Sequence, residues 1–129
     1  MFARTERLLL RPGWLEDAPA LARAIGEEAV VRNLATAPWP YGEDEAQAFL
    51  SKPLDPTQPR FLIFARTGAA PRLVGGCGIS PSQDADLGRA LEMGYWIARP
   101  YWGLGFATEA GRQLVHIARA MNLPKLSAG

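Results

Sequence analysis

Residues 92–110 read EMGYWIARPYWGLGFATEA, and the fold turns on how this stretch divides. Arg89 to Ala98 is rich in aromatic and branched residues and reads as a strand. Phe106 to Met121 reads as a helix whose apolar stripe is Ala107, Ala110, Leu114, Ile117, Ala118 and Met121. Glu109, Arg112, His116 and Arg119 fall mainly elsewhere, and Asn122 and Pro124 end the helix. Between strand and helix lies a turn containing Gly103 and Gly105. N–H groups at a helix start lack internal partners and carry partial positive charge, so such a turn is a natural anion cradle. Neither glycine has a Cβ to keep a ligand from the backbone. Thr108 adds a hydroxyl donor.

Working outward, Arg4–Arg11 reads as a strand stopped by Pro12-Gly13. Leu15–Ile25 has helical spacing with Gly26 as terminator, and a short helix is expected over about Glu27–Leu34. Pro38 to Gly42 is a loop, and the acidic triplet Glu43-Asp44-Glu45 opens a helix through Leu50, well placed against the helix dipole. Pro53, Pro56 and Pro59 form a rigid connector. Arg60–Arg66 and Arg72–Ser80 are strands joined by a turn at Thr67–Pro71, a hairpin, and Ser82–Gly88 is a polar loop. Lys125-Leu126-Ser127-Ala128 looks like the start of a further strand. The order of strand, helices, three strands, helix and strand start implies an α+β, or mixed α/β, layer.

A chain of 129 residues fits one domain. Its 48% hydrophobic and 21% charged content are ordinary for a soluble protein. A net charge of +1 with scattered arginines gives no electrostatic footprint for nucleic acid or membrane. The lone Cys77 excludes an internal disulfide and suits a reducing compartment. The apolar run at the N-terminus is too short for a signal peptide or membrane span, so a cytoplasmic address is expected. No cluster with metal-ligand spacing is seen, and no metal is expected.

Three phosphate-binding patterns compete at the turn. A P-loop needs Lys and Ser or Thr directly after its last glycine, and Phe106-Ala107 stand there instead. A dinucleotide fingerprint needs a third glycine where Thr108 stands, and an acidic residue about 20 positions on, where none occurs. The third pattern fits. Trp102-Gly103-Leu104-Gly105-Phe106-Ala107 resembles the acetyl-CoA-binding motif Q/R-x-x-G-x-G/A of the GCN5-related N-acetyltransferases (GNAT), with Trp in the first place. The phrases E-x-G-Y-W-I and Y-W-G-x-G-F-A-T-E-A are similar to the branch containing the ribosomal-protein alanine acetyltransferases, the RimJ/RimL-like enzymes. So are T-E-R-L-x-L-R-P at the N-terminus, Pro40-Tyr41 before the acidic helix, and Leu73-Val74-Gly75. These ordered phrases, spread over almost the whole chain, outweigh the reading of Gly103 and Gly105 as a mere tight connection.

The resemblance implies an acyl-CoA N-acyltransferase fold, a mostly antiparallel sheet flanked by helices. It implies acetyl-CoA as co-substrate and direct attack of a primary amine, from a protein N-terminus or a small molecule, on the thioester. The pantetheine arm would pair with the strand backbone around Ile97 and Arg99, and the pyrophosphate would sit on Trp102, Gly103, Leu104, Gly105, Phe106, Ala107 and Thr108. Glu92 is the candidate base, and a structural carboxylate is the competing reading. With regular alternation, Glu92, Gly94 and Trp96 share one face and Met93, Tyr95 and Ile97 the other. Tyr95 is the candidate proton donor to the thiolate, and packing is its alternative. Trp39 and Tyr41 are candidate acceptor contacts or, equally, a hydrophobic plug. Glu109 is read as complementing the helix dipole or holding the loop, His116 as solvated and Cys77 as packed. Gly75, Gly76 and Gly78 mark a bulge or a close ligand approach.

The sequence stops at Gly129, as that further strand begins. The resemblance implies that relatives continue through this strand, another helix and a closing pair of strands, with an Asn-x-x-Ser segment near the thiol. Residues 1–129 are thus expected to be one GNAT domain, C-terminally incomplete. A non-catalytic acyl-CoA-binding module, an inactive fragment, and a homo-oligomer formed through the exposed sheet edge are the alternatives this raises.

Overall fold

The computed structural model describes residues 3–25, 42–52, 59–66, 70–81, 91–120 and 126–128. The strands are β1 (Ala3–Arg4), β2 (Leu8–Arg11), β3 (Arg60–Ala65), β4 (Arg72–Pro81), β5 (Leu91–Ile97) and β6 (Leu126–Ala128). They form a six-stranded sheet in sequence order. The first five are antiparallel to their neighbours; β6 runs parallel to β5. The helices are α1 (Ala18–Ile25), preceded by a 3-10 turn at Leu15–Asp17, then α2 (Glu43–Leu50) and α3 (Phe106–Ala120). The helix expected over 27–34, the loops at 38–41 and 82–88, and the core of the 67–71 turn lie outside the described residues. No helix among the described residues is long and apolar enough to cross a membrane.

Each face of the sheet is covered, which explains the unbroken apolar run of β3. Phe61, Ile63 and Ala65 pack with Leu8, Leu10, Cys77 and Ile79 beneath Phe106, Ala110, Leu114, Ile117 and Ala118 of α3. Leu62 and Phe64 face the other way, onto Ala18, Leu21 and Ile25 of α1 and Ala46 of α2. Leu8, Leu10, Ile63 and Leu114 are wholly buried; each such side chain contributes about 1.5–3 kcal/mol.

The register of β3 against β4 slips once, between Ile63 and Phe64. Ile63 pairs with Gly75 and Phe64 with Leu73, leaving Val74 as the extra residue of a bulge. The bulge resets the alternation of β4, so that Val74 joins Cys77 and Ile79 in the layer under α3 and Leu73 turns toward α1 and α2. Two of the nearby glycines serve an approach of protein rather than of ligand. A Cβ on Gly75 would stand 2.3 Å from the Trp96 carbonyl, and one on Gly76 would stand 2.6 Å from Trp96 Nε1. The Trp96 indole therefore needs a bare backbone opposite it.

The expected single strand at Arg4–Arg11 is two strands of a small hairpin. The Thr5 N–H donates to the Leu8 carbonyl at 2.9 Å, and the Leu8 N–H donates to Thr5 Oγ1 at 3.0 Å. This hydroxyl-closed turn reverses the chain where hydrophobic pattern alone suggests continuity.

Candidate functional site

Leu91, Glu92 and Met93 of β5 pair with Leu126, Ser127 and Ala128 of β6. Beyond Met93, no described strand covers that edge. The Ala98 N–H donates to Val74 C=O at 2.8 Å, so alternation turns the polar groups of Tyr95 and Ile97 toward the uncovered side. A cleft of about 430 Å³ opens there, lined by Tyr95, Trp96, Ile97, Tyr101, Trp102, Gly103, Gly105, Phe106, Ala107 and Thr108.

The floor of the cleft is the turn into α3. Arg99–Tyr101 form one 3-10 turn, closed when Trp102 N–H donates to Arg99 C=O at 3.1 Å. Gly103 and Gly105 both have φ of 81°, the left-handed region that side chains with a Cβ disfavour. The first bond into the helix runs from Glu109 N–H to Gly105 C=O, 3.1 Å. The N–H groups of residues 106–108 therefore precede the helical ladder without intrahelical acceptors, at the positive end of its dipole. The turn is a set of convergent donors next to an open strand edge. It suits a ligand with an anionic end and an amide-bearing extended arm.

A second layer holds this turn from behind. Arg7 donates from Nε to Glu109 Oε1 at 2.6 Å and from Nη1 to the Leu104 carbonyl at 2.8 Å. Its guanidinium also lies 4.8 Å from the centre of the Phe106 ring. Glu109 Oε2 accepts from the Arg7 backbone N–H at 2.9 Å and from the Thr5 hydroxyl. Burial by itself would raise the Glu109 carboxyl, but the Thr5 hydroxyl, the Arg7 N–H and the Arg7 guanidinium together hold it below the usual carboxylate range. Glu109 thus holds the loop, one of its two expected roles.

Of the residues expected at the site, Tyr95, Ile97, Trp102, Gly103, Gly105, Phe106, Ala107 and Thr108 line one cleft. Leu104 turns its half-exposed side chain outward. Arg99 lies past the end of β5 in the 3-10 turn, with its carbonyl engaged by Trp102, so it does not extend the open edge. Its guanidinium lies 5.3 Å from the Trp102 ring. Trp102 Nε1 donates to the Ile97 carbonyl at 2.6 Å, so the indole already occupies one acceptor on that edge. Tyr95 is 47% exposed. The backbone of Glu92 pairs with Ser80 and Ser127; its side chain, like Trp39 and Tyr41, lies outside the described residues. Tyr101, Trp96 and Arg7 belong to the site or its support and were not singled out from sequence. Arg7 stood in the T-E-R-L phrase without a role. Cys77 is packed as expected, and burial pushes its thiol up to about 12.

Residues 7–129 match the family described as Acetyltransferase (GNAT) domain. The chain belongs to the GNAT acetyltransferase family. Enzymes of this family take their acetyl group from acetyl-CoA, and this GNAT domain is accordingly an acetyl-CoA-dependent acetyltransferase. It is 32% identical over 128 residues to the uncharacterized N-acetyltransferase p20 of Bacillus licheniformis, covering 96% of this chain and 70% of that protein. Among solved structures, RimL, a ribosomal L7/L12 alpha-N-protein acetyltransferase, superposes with a TM-score of 0.73 at 16% identity, covering 98% of this chain and 69% of RimL. The microcin C7 self-immunity acetyltransferase MccE, solved with acetyl-CoA and AMP, has a TM-score of 0.67 at 17% identity, covering 88% of this chain and 63% of MccE. These two likenesses establish a shared fold.

Proposed function

We propose that this GNAT domain transfers acetyl from acetyl-CoA directly to a primary amine, within the RimJ/RimL-like branch that its sequence phrases resemble. The observation that carries the reading is that the phosphate-type turn at Trp102–Thr108 and the open edge at Tyr95–Ile97 share one cleft. The N–H groups of Gly103 to Thr108 bind the pyrophosphate. The free edge groups of Tyr95 and the Ile97 N–H take the pantetheine arm as an added strand. The arm then points back along β5 toward Met93, where the thioester meets the acceptor.

There the amine nitrogen attacks the thioester carbonyl carbon. The tetrahedral intermediate collapses with loss of thiolate, the amine proton passes to Glu92 directly or through water, and Tyr95 protonates the thiolate. Trp39 and Tyr41 contact the acceptor. A lone buried cysteine suits a reducing compartment, so we place the reaction in the cytoplasm.

Titration of the folded chain with acetyl-CoA tests the donor site, and the absence of saturable binding defeats the reading. Intact mass after incubation without acceptor tests direct attack: an acetyl adduct on the protein would require a covalent intermediate instead. With an amine that turns over, Tyr95→Phe should lower kcat about 100-fold or more while leaving the acetyl-CoA Kd unchanged. Glu92→Gln should do the same and remove the acidic limb of the pH–rate profile.

A further inference from the structure

Arg7 is not among the residues that line the cleft, yet its bonds converge on the peptide that links the two turn residues Leu104 and Gly105. In a trans peptide the C=O and the following N–H point in opposite directions. Arg7 Nη1 draws the Leu104 carbonyl away from the cleft, at 2.8 Å, which turns the Gly105 N–H the other way, on the side where Gly105 lines the cleft. The same guanidinium is anchored by its Nε to Glu109 at 2.6 Å. Its direction is therefore fixed from the first turn of the helix it supports. Thr5 and the Arg7 backbone N–H complete the ring of donors on that carboxylate.

The pairing also solves a charge problem. A carboxylate in the first helical turn suits the helix dipole but repels an anion bound at the same terminus. Glu109 is held ionised by the donors around it, and the Arg7 charge beside it cancels that repulsion. An Arg fork does this with fixed geometry; an ammonium is a point charge.

We propose that Arg7, locked by Glu109 and Thr5, is a positioning residue that aims the Gly105 N–H at the donor's pyrophosphate. The proposal rests on the reading of the cleft as the acetyl-CoA site. Arg7 acts through the backbone of the turn rather than by touching the ligand.

The test compares the intact chain with Arg7→Lys and Arg7→Met, using CoA as the probe. Wild-type protein should bind CoA saturably; if it does not, the proposed function falls, and this inference with it, before any variant is considered. If it does, both variants should weaken CoA binding on the order of 10-fold, the loss expected for a charge-assisted hydrogen bond. The Lys variant should not be rescued by its retained charge. In 15N-labelled protein the Gly105 amide resonance should move on CoA addition in the wild type and move much less in both variants, while the amides of 106–108 still respond. Wild-type affinity in Arg7→Lys would reduce Arg7 to a long-range charge, and an undiminished Gly105 response in Arg7→Met would refute the positioning role. If Arg7→Met does not fold, Thr5→Val, which loosens the same carboxylate without touching the charge, should give a smaller loss in the same direction; unchanged affinity there overturns the lock.

Discussion

Alanine placed at Gly103 or at Gly105 separates what the turn's backbone requires from what surrounds it. Both residues sit at φ of 81°, where an L-residue costs roughly 1–2 kcal/mol. Their surroundings differ. A Cβ on Gly103 meets nothing within 4 Å, whereas one on Gly105 comes to 3.3 Å from Arg7 Nη2. Gly103→Ala should thus show the backbone cost alone, a fall in Tm of about 4–8 °C for a domain of this size. If the variant turn escapes the strain by leaving the left-handed region, its donors no longer converge, and CoA binding should weaken by about 5- to 30-fold. Gly105→Ala should carry the same cost plus that of displacing the guanidinium. In an Arg7→Met background this extra part should vanish, so Gly105→Ala and Arg7→Met should combine to less than the sum of their separate effects. Gly103→Ala and Arg7→Met share no contact and should add. Thermal and urea denaturation, with CoA titration, of the five variants and the wild type supply every quantity needed. Wild-type stability and affinity in Gly103→Ala would refute the argument, because the turn could then not depend on its positive φ.

Three further outcomes follow from the same structure. Leu114 is wholly buried between α3 and the sheet, so Leu114→Ala should cost about 2–5 kcal/mol in urea unfolding. The Cys77 thiol, pushed up to about 12 by burial, should resist a thiol reagent at pH 8 in native protein and react at once in denaturant. The Glu109 carboxyl is held below the usual range of about 4.3, so its contribution is present above that pH and lost as pH falls through its lowered folded value. The Tm gap between wild type and Glu109→Gln should be flat from pH 6 to pH 8 and close progressively in acid; a gap that widens in acid would reverse the sign.

The strand–turn–helix at 92–110 was legible because each part depends on local chemistry. Aromatic and branched residues favour the pleated strand, two glycines permit the turn, and apolar spacing sets the face of α3. The β3–β4 hairpin and α2 were legible for the same reason. The first strand was misread because the turn at Thr5–Leu8 is closed by a side-chain hydroxyl, which leaves no mark in a hydrophobic pattern. The glycines of β4 declared that something comes close; only the paired strands show that it is Trp96, by its carbonyl at Gly75 and its indole at Gly76.

By itself, then, the amino-acid sequence determined the elements that short-range physics controls, and through its ordered phrases the family. Tertiary structure decided what depends on residues far apart in the chain. It ended the strand edge at Ile97 rather than Arg99, because the Arg99 carbonyl closes a 3-10 turn. It brought Tyr101 and Trp96 to the cleft. It also carried Arg7 across the hairpin to the back of the Leu104–Gly105 peptide. Spacing along the chain cannot register that last contact, since a bond between residues so widely separated exists only once β2 and α3 have packed on one sheet.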